Sequence, residues 1–288
     1  MKSISRVVSG LALAGLLPAA QADSFASAEL SSVTLTLFDL DVSDGITPWI
    51  KFQDNTDQTY RGIVFIMSNN ETVGRSSVQS SKAFASFARQ LSSAGVSASS
   101  SFTVDATTRM GGTHLAQTSA AFEADNHLAW AEAYGALNQF TISDRSLLVV
   151  TATSVLSTKV THSWLGSGEY QPEMASAATR IQLSGPDVGG TGHQLTDLGS
   201  EMYLQSQKTW DEAVGAYLFS PDSRERSSSL SGSFTNLSGA PMSGTLDMYV
   251  SVTSRTPSAT SAVPEPQSIS LALIGLLGLS GGLRLRRC

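Results

Sequence analysis

Apolar residues recur at every second position over long stretches of this 288-residue chain. From Ser146 to Val155 the set Leu148, Val150 and Ala152 falls on one side. Ile181 and Leu183 alternate with Arg180 and Gln182. From Thr245 to Val252, Leu246, Met248, Val250 and Val252 oppose Thr245, Asp247, Tyr249 and Ser251. Successive side chains of a strand point to opposite faces, so this period marks half-buried strands. Turns containing Gly, Pro, Asn or Asp punctuate the segments, as an antiparallel sheet protein requires. The expected fold is all-β, an antiparallel β-sandwich or jelly-roll-like body.

Three segments depart from plain alternation. Val33, Leu35 and Leu37 are apolar at odd positions, whereas Phe38, Leu40 and Val42 are apolar at even ones. A regular strand cannot change faces, so a β-bulge or bend is expected near Leu37-Phe38. Ser81 to Leu91 carries Phe84, Phe87, Ala88 and Leu91 at i, i+3, i+4 and i+7, which predicts a helix. Ala120 to Leu137 fits a helix or Ala-rich strands, and its β neighbours favour strands.

The two ends have a different composition. Lys2 and Arg6 precede an apolar run from Val7 to Leu17, and Pro18 then breaks any helix. Ala20 and Ala22 supply the small-x-small pattern that a signal peptidase cuts, so residues 1–22 are expected to be a signal peptide handled by the general secretion machinery. At the other end Pro264, Glu265 and Pro266 precede an apolar stretch from Ile269 to Leu283, then Arg284, Arg286 and Arg287. A helix over Ser268 to Leu285 is roughly 27 Å long, close to a hydrocarbon core. The arginines put its far end in the cytoplasm under the positive-inside rule. The expected organisation is signal peptide 1–22, all-β ectodomain 23–256, linker 257–262 and a tail, 263–288, that crosses the membrane.

This tail resembles the PEP-CTERM sorting signal of Gram-negative bacteria. The likeness rests on Pro264, Glu265 and Pro266, the helix after them and Arg284, Arg286 and Arg287. It implies recognition by an exosortase-type membrane protease, transient anchoring in the inner membrane, removal of the tail, and residence on the outer surface or in the extracellular matrix. Three stretches of the body are also similar to ectodomains joined to such tails: Phe38 to Pro48, Phe140 to Ser143 leading into Leu147 to Val150, and Gly232 to Ser238. That likeness implies a secreted all-β domain of unassigned activity and carries over no catalytic residue.

The charge balance narrows the partners. The chain has 18 basic and 24 acidic residues. Without its two ends it keeps about 13 basic and about 23 acidic ones, a balance opposite to that of a nucleic-acid binder. Cys288, the one cysteine, lies in the tail, so the body relies on its core and not on disulfides.

Catalytic signatures are missing. His114, His127, His162 and His193 show no metal-ligand spacing, and each reads as a surface or satisfied core histidine. No Gly-x-Ser-x-Gly turn presents a nucleophile. Asp39, Asp41 and Asp44 crowd one strand end but depart from the EF-hand pattern, with Ser43 fifth, Asp44 sixth and Ile50 twelfth. A polar turn is the leading reading there and a Ca²⁺ site the alternative; no other cofactor is expected. Trp49, Trp130, Trp164 and Trp210 read first as core and second as sugar-stacking platforms. Two sequons, at Asn70 and Asn236, carry little information in so Ser/Thr-rich a chain. The sequence therefore predicts a non-catalytic surface or matrix protein associated with exopolysaccharide and biofilm. A glycan-active hydrolase or lyase on a β-sandwich, and a calcium-dependent adhesion module, are the alternatives.

Overall fold

The structure, a computed structural model, describes residues 23–54, 59–105, 112–121, 127–134, 138–161, 165–166, 173–187, 192–213 and 216–256. The expected signal peptide, linker and sorting tail, with Ala20, Ala22, Pro264, Glu265, Pro266, Arg284, Arg286 and Arg287, lie outside these residues. Among the described residues no helix is long and apolar enough to cross a membrane.

Every described element is a strand. In chain order they are β1 (Asp23–Asp39), β2 (Ile50–Gln53), β3 (Thr59–Ser68), β4 (Glu71–Ser80), β5 (Phe87–Ser93) and β6 (Val96–Val104). Then come β7 (Gly112–Ala121), β8 (His127–Tyr134), β9 (Asn138–Ile142), β10 (Ser146–Val160), β11 (Leu165–Gly166) and β12 (Met174–Pro186). The last are β13 (His193–Gln205), β14 (Gln207–Asp211), β15 (Ala216–Ser220), β16 (Asp222–Asn236) and β17 (Met242–Thr256).

The first sheet runs β16-β10-β1-β7-β6-β5. The second runs β13-β12-β17-β8-β3-β4, with β9 and β2 extending from β17 beside β8. A small third sheet holds β11, β15 and β14. All pairings are antiparallel. The two large sheets stack strand over strand: β16 on β13, β10 on β12, β1 on β17, β7 on β8, β6 on β3 and β5 on β4. The body is thus a β-sandwich with one shared core.

The alternation expected of the sequence places that core. Leu148, Val150 and Ala152 on β10, Ile181 and Leu183 on β12, and Leu246, Met248, Val250 and Val252 on β17 are all buried. Within the Ala-rich stretch, Ala129, Ala131 and Ala133 turn inward along the fully alternating strand β8, and residues 122–126 and 135–137 lie outside the described ones. Phe140 packs edge-on against Phe234, and Phe52 against Phe84, at one end of the core. The other end is lined by hydroxyls that pair across the sheets: Ser154 with Thr179 at 2.7 Å and Thr118 with Ser254 at 2.8 Å. Such pairing satisfies buried polar groups that would otherwise oppose folding.

Two expectations are corrected. The face change in β1 is real but sits earlier, between Ser31 and Thr34, where the register with β10 shifts and Ser32 takes φ 52°. Ala26, Ala28 and Leu30 face the core before it, and Val33, Leu35 and Leu37 after it. Phe38, Leu40 and Val42 simply continue outward, exposed. The helix over Ser81 to Leu91 does not form: residues 81–86 are a turn and Phe87 begins β5. Two side chains fix that turn. Buried Arg61 donates to the carbonyls of Ser80 and Lys82, and Asp54 accepts from the Ala83 N–H and the Lys82 ammonium. Phe84 then enters the core with φ 50°, a left-handed value that a right-handed helix does not contain.

Candidate functional site

The Asp39–Asp41–Asp44 region is one of three loops knitted together at one end of the sandwich. The Leu40 N–H donates to the Arg145 carbonyl at 2.8 Å, and the Arg145 N–H to Ser238 at 3.2 Å. Ser143 donates from its N–H to the Trp49 carbonyl, and its hydroxyl accepts from the Trp49 N–H. Buried Asn236 donates to the carbonyls of Ser143 and Ala240. These are the three stretches whose likeness to secreted ectodomains was noted, so they are one structural unit. Asn236 is a strut of this unit, its amide spent on two carbonyls, so that sequon is not presented to solvent.

Each aspartate here serves its own turn. Asp39 accepts the Asp41 N–H, Asp41 accepts the N–H and hydroxyl of Ser43, and Asp44 accepts the Ile46 N–H. Arg145 reaches the other oxygen of Asp41 at 2.5 Å. The Ser43 hydrogen bonds, with Arg145 beside them, hold the Asp41 carboxyl below its ordinary range. Among the described residues no group of three or more His, Cys, Asp or Glu side chains converges as a metal site, this trio included. Around the aspartates Phe38, Leu40, Val42, Ile46, Trp49 and Leu237 are exposed.

The richer chemistry lies on the outer face of the second sheet. There Tyr134 on β8 stacks on Tyr249 of β17, with ring centroids 5.8 Å apart and planes 25° apart. The Tyr134 hydroxyl donates to Glu132. Burial pushes the Glu132 carboxyl up, and that hydrogen bond offsets part of the rise. Asp247, next on the same face of β17, is pushed up by burial too, against the pull of the Arg180 charge and the Met248 N–H. Arg180 on β12 grips Asp197 of β13 through both Nε and Nη2. An open groove of about 340 Å³ continues the strip toward the loop end, lined by Gln53, Gln139, Ser184, His193, Ser243 and Thr245 among others. Its hydroxyls are already laddered across strands, Thr141 to Ser243 at 2.9 Å and Ser184 to Thr245 at 2.5 Å.

This face was not singled out from the sequence. Its signal was the polar half of the alternation in Thr245 to Val252: Asp247, Tyr249 and Ser251 look outward. What the sequence could not give is the register that sets Tyr249 opposite Tyr134 and Arg180. The tryptophans are less buried than their core reading implies. Trp49 and Trp210 are exposed, Trp130 is half-buried on this same sheet, and Trp164 lies outside the described residues. Of the histidines, His162 lies outside the described residues, His193 borders the groove, and His114 and His127 are buried. His114 lies against Phe102 with centroids 4.4 Å apart, and neither ring nitrogen makes a hydrogen bond of ordinary geometry. Burial pushes its pKa down to about 3, opposed weakly by the Leu30 backbone.

No family model matches the chain, and no curated protein matches it. One solved structure with some likeness is described as carbohydrate-binding modules of the β-sandwich superfamily with promiscuous specificity. It is 7% identical, aligned over 73% of this chain and 96% of that one, at a TM-score of 0.09. A score so low carries no argument about fold or ligand.

Proposed function

We propose that this is an exported, non-catalytic surface or matrix protein that binds exopolysaccharide through the outer face of its second sheet. On this reading the signal segment and the Pro264-Glu265-Pro266 tail deliver the body to the cell exterior, an exosortase-type protease removes the tail, and the β-sandwich remains in the matrix. The observation that carries the binding role is the stacked Tyr134–Tyr249 pair set in a strip of amides, hydroxyls and carboxylates beside an open groove. Sugar rings offer apolar faces and polar edges. Aromatic rings cover the former, and amides and carboxylates hydrogen-bond the latter.

Co-sedimentation with the host's own exopolysaccharide tests this. The wild-type protein should pellet with the polymer, and a Tyr134→Ala/Tyr249→Ala variant with unchanged circular dichroism should stay in solution. Equal pelleting of both, or of neither, contradicts the assignment.

The hydrolase reading keeps one observation in its favour, the two carboxylates raised by burial near the groove. Release of new reducing ends from the bound polymer, abolished by Asp247→Asn, would establish it.

A further inference from the structure

We infer that the polysaccharide taken by this face carries free amino groups. The inference rests on the glycan-binding reading above and deepens it from sugar in general to cationic amino sugar.

Charge complementarity across a built surface favours this class of glycan. Arg180, paired with Tyr249 in the β12–β17 register, is already held by both Asp197 oxygens. Glu132 receives only the neutral hydroxyl of Tyr134, and Asp247 only a backbone N–H and the distant charge of Arg180. Neither makes an ion pair among the described residues. Half-buried carboxylates without a counter-charge oppose folding, so a fold that keeps two of them flanking one tyrosine holds a latent binding energy for a cation. A compact metal ion is a poor match, because Tyr134 stands between the two carboxylates on the face. A polymer with an ammonium on each sugar satisfies both at once while its rings lie on Tyr134 and Tyr249. The groove beyond, with Gln53, Gln139, Ser184 and Thr245, then takes the next sugars through neutral hydrogen bonds. A polyanionic glycan meets Glu132, Asp247 and Asp197 together and is repelled.

The test is calorimetric titration of the whole protein with three probes: chitosan oligomers, their fully N-acetylated counterparts, and alginate oligomers. Chitosan oligomers should bind about tenfold or more tightly than the acetylated series, and alginate should not bind. Asp247→Asn and Glu132→Gln should each weaken chitosan binding about tenfold and leave acetylated oligomers unchanged. Glu225→Gln, on β16 of the other sheet, should bind as wild type, which separates a local site from general attraction to an acidic protein. Equal affinity for acetylated and free oligomers, preference for alginate, or an equal effect of Glu225→Gln overturns the amino-sugar inference. If the host polysaccharide still pellets with the protein in those cases, the broader glycan reading survives. If it does not, both fall.

Discussion

Among the described residues Arg61 is the largest fully buried side chain, and its guanidinium donates to two turn carbonyls. Desolvation pulls its pKa down, while Asp54 nearby opposes that fall. Removing it takes a donor from the Ser80 and Lys82 carbonyls, of which Ser80 keeps the Thr59 hydroxyl, and empties the fully buried space the side chain fills. Arg61→Ala should therefore lower unfolding free energy in urea by about 2–4 kcal/mol. The exposed Arg180–Asp197 pair gives the comparison, since Arg180→Ala should change it by under about 1 kcal/mol. Similar losses would contradict the burial argument. His114 makes a pH prediction of definite sign. Its folded pKa is depressed to about 3 from an ordinary 6.5. Below pH 6.5 the unfolded chain takes up a proton that the folded one refuses, so stability falls as pH drops from there toward about 3. The slope is up to about 1.4 kcal/mol per pH unit. His114→Phe, which keeps a ring against Phe102, should flatten the acid limb by that amount between pH 6 and 4. An unchanged slope would show that the ring is not buried neutral.

Strands were legible where one face is apolar and the other polar, as in β10 and β17, because the pleat imposes that period directly. The segment 81–91 was not, for a definite reason. Phe87 and Leu91 lie four apart, a spacing shared by a helix face and a strand face, and only Phe84 and Ala88 tipped the pattern to 3.6. The competing signals were Asp54 and Arg61, whose grip on the turn is tertiary and invisible in a local window. The bulge in β1 was misplaced because Phe38, Leu40 and Val42 look like core residues and are exposed instead. Close approach of the sheets was equally hidden: a Cβ on Gly62 would lie 2.2 Å from the Phe87 ring. Ser32 carries the strain of the face change, since φ 52° favours glycine. Ser32→Gly should raise the thermal midpoint, by up to about 1 kcal/mol of stability, and Ser32→Val should lower it. The opposite order would mean the bulge lies elsewhere.

The two sheets share one core, and the strand directions give the body two unlike ends. Asp23 and Thr256, the first and last described positions, lie at the hydroxyl-lined end, since β1 begins there and β17 finishes there. The three-loop unit with Trp49 and the groove sit toward the opposite end. On the proposed sorting reading, a tail leaving from Thr256 would hold the sandwich with its three-loop end away from the membrane. The candidate site itself was legible only as the polar half of an alternating strand; its meaning came from register, which no single segment encodes. The most direct test of the account is intact-mass spectrometry of the protein recovered from the extracellular matrix of its native host. The account predicts a chain that starts at Asp23 and lacks Cys288 together with the arginine cluster. A full-length chain retaining Cys288, found in the cytosol, would contradict it.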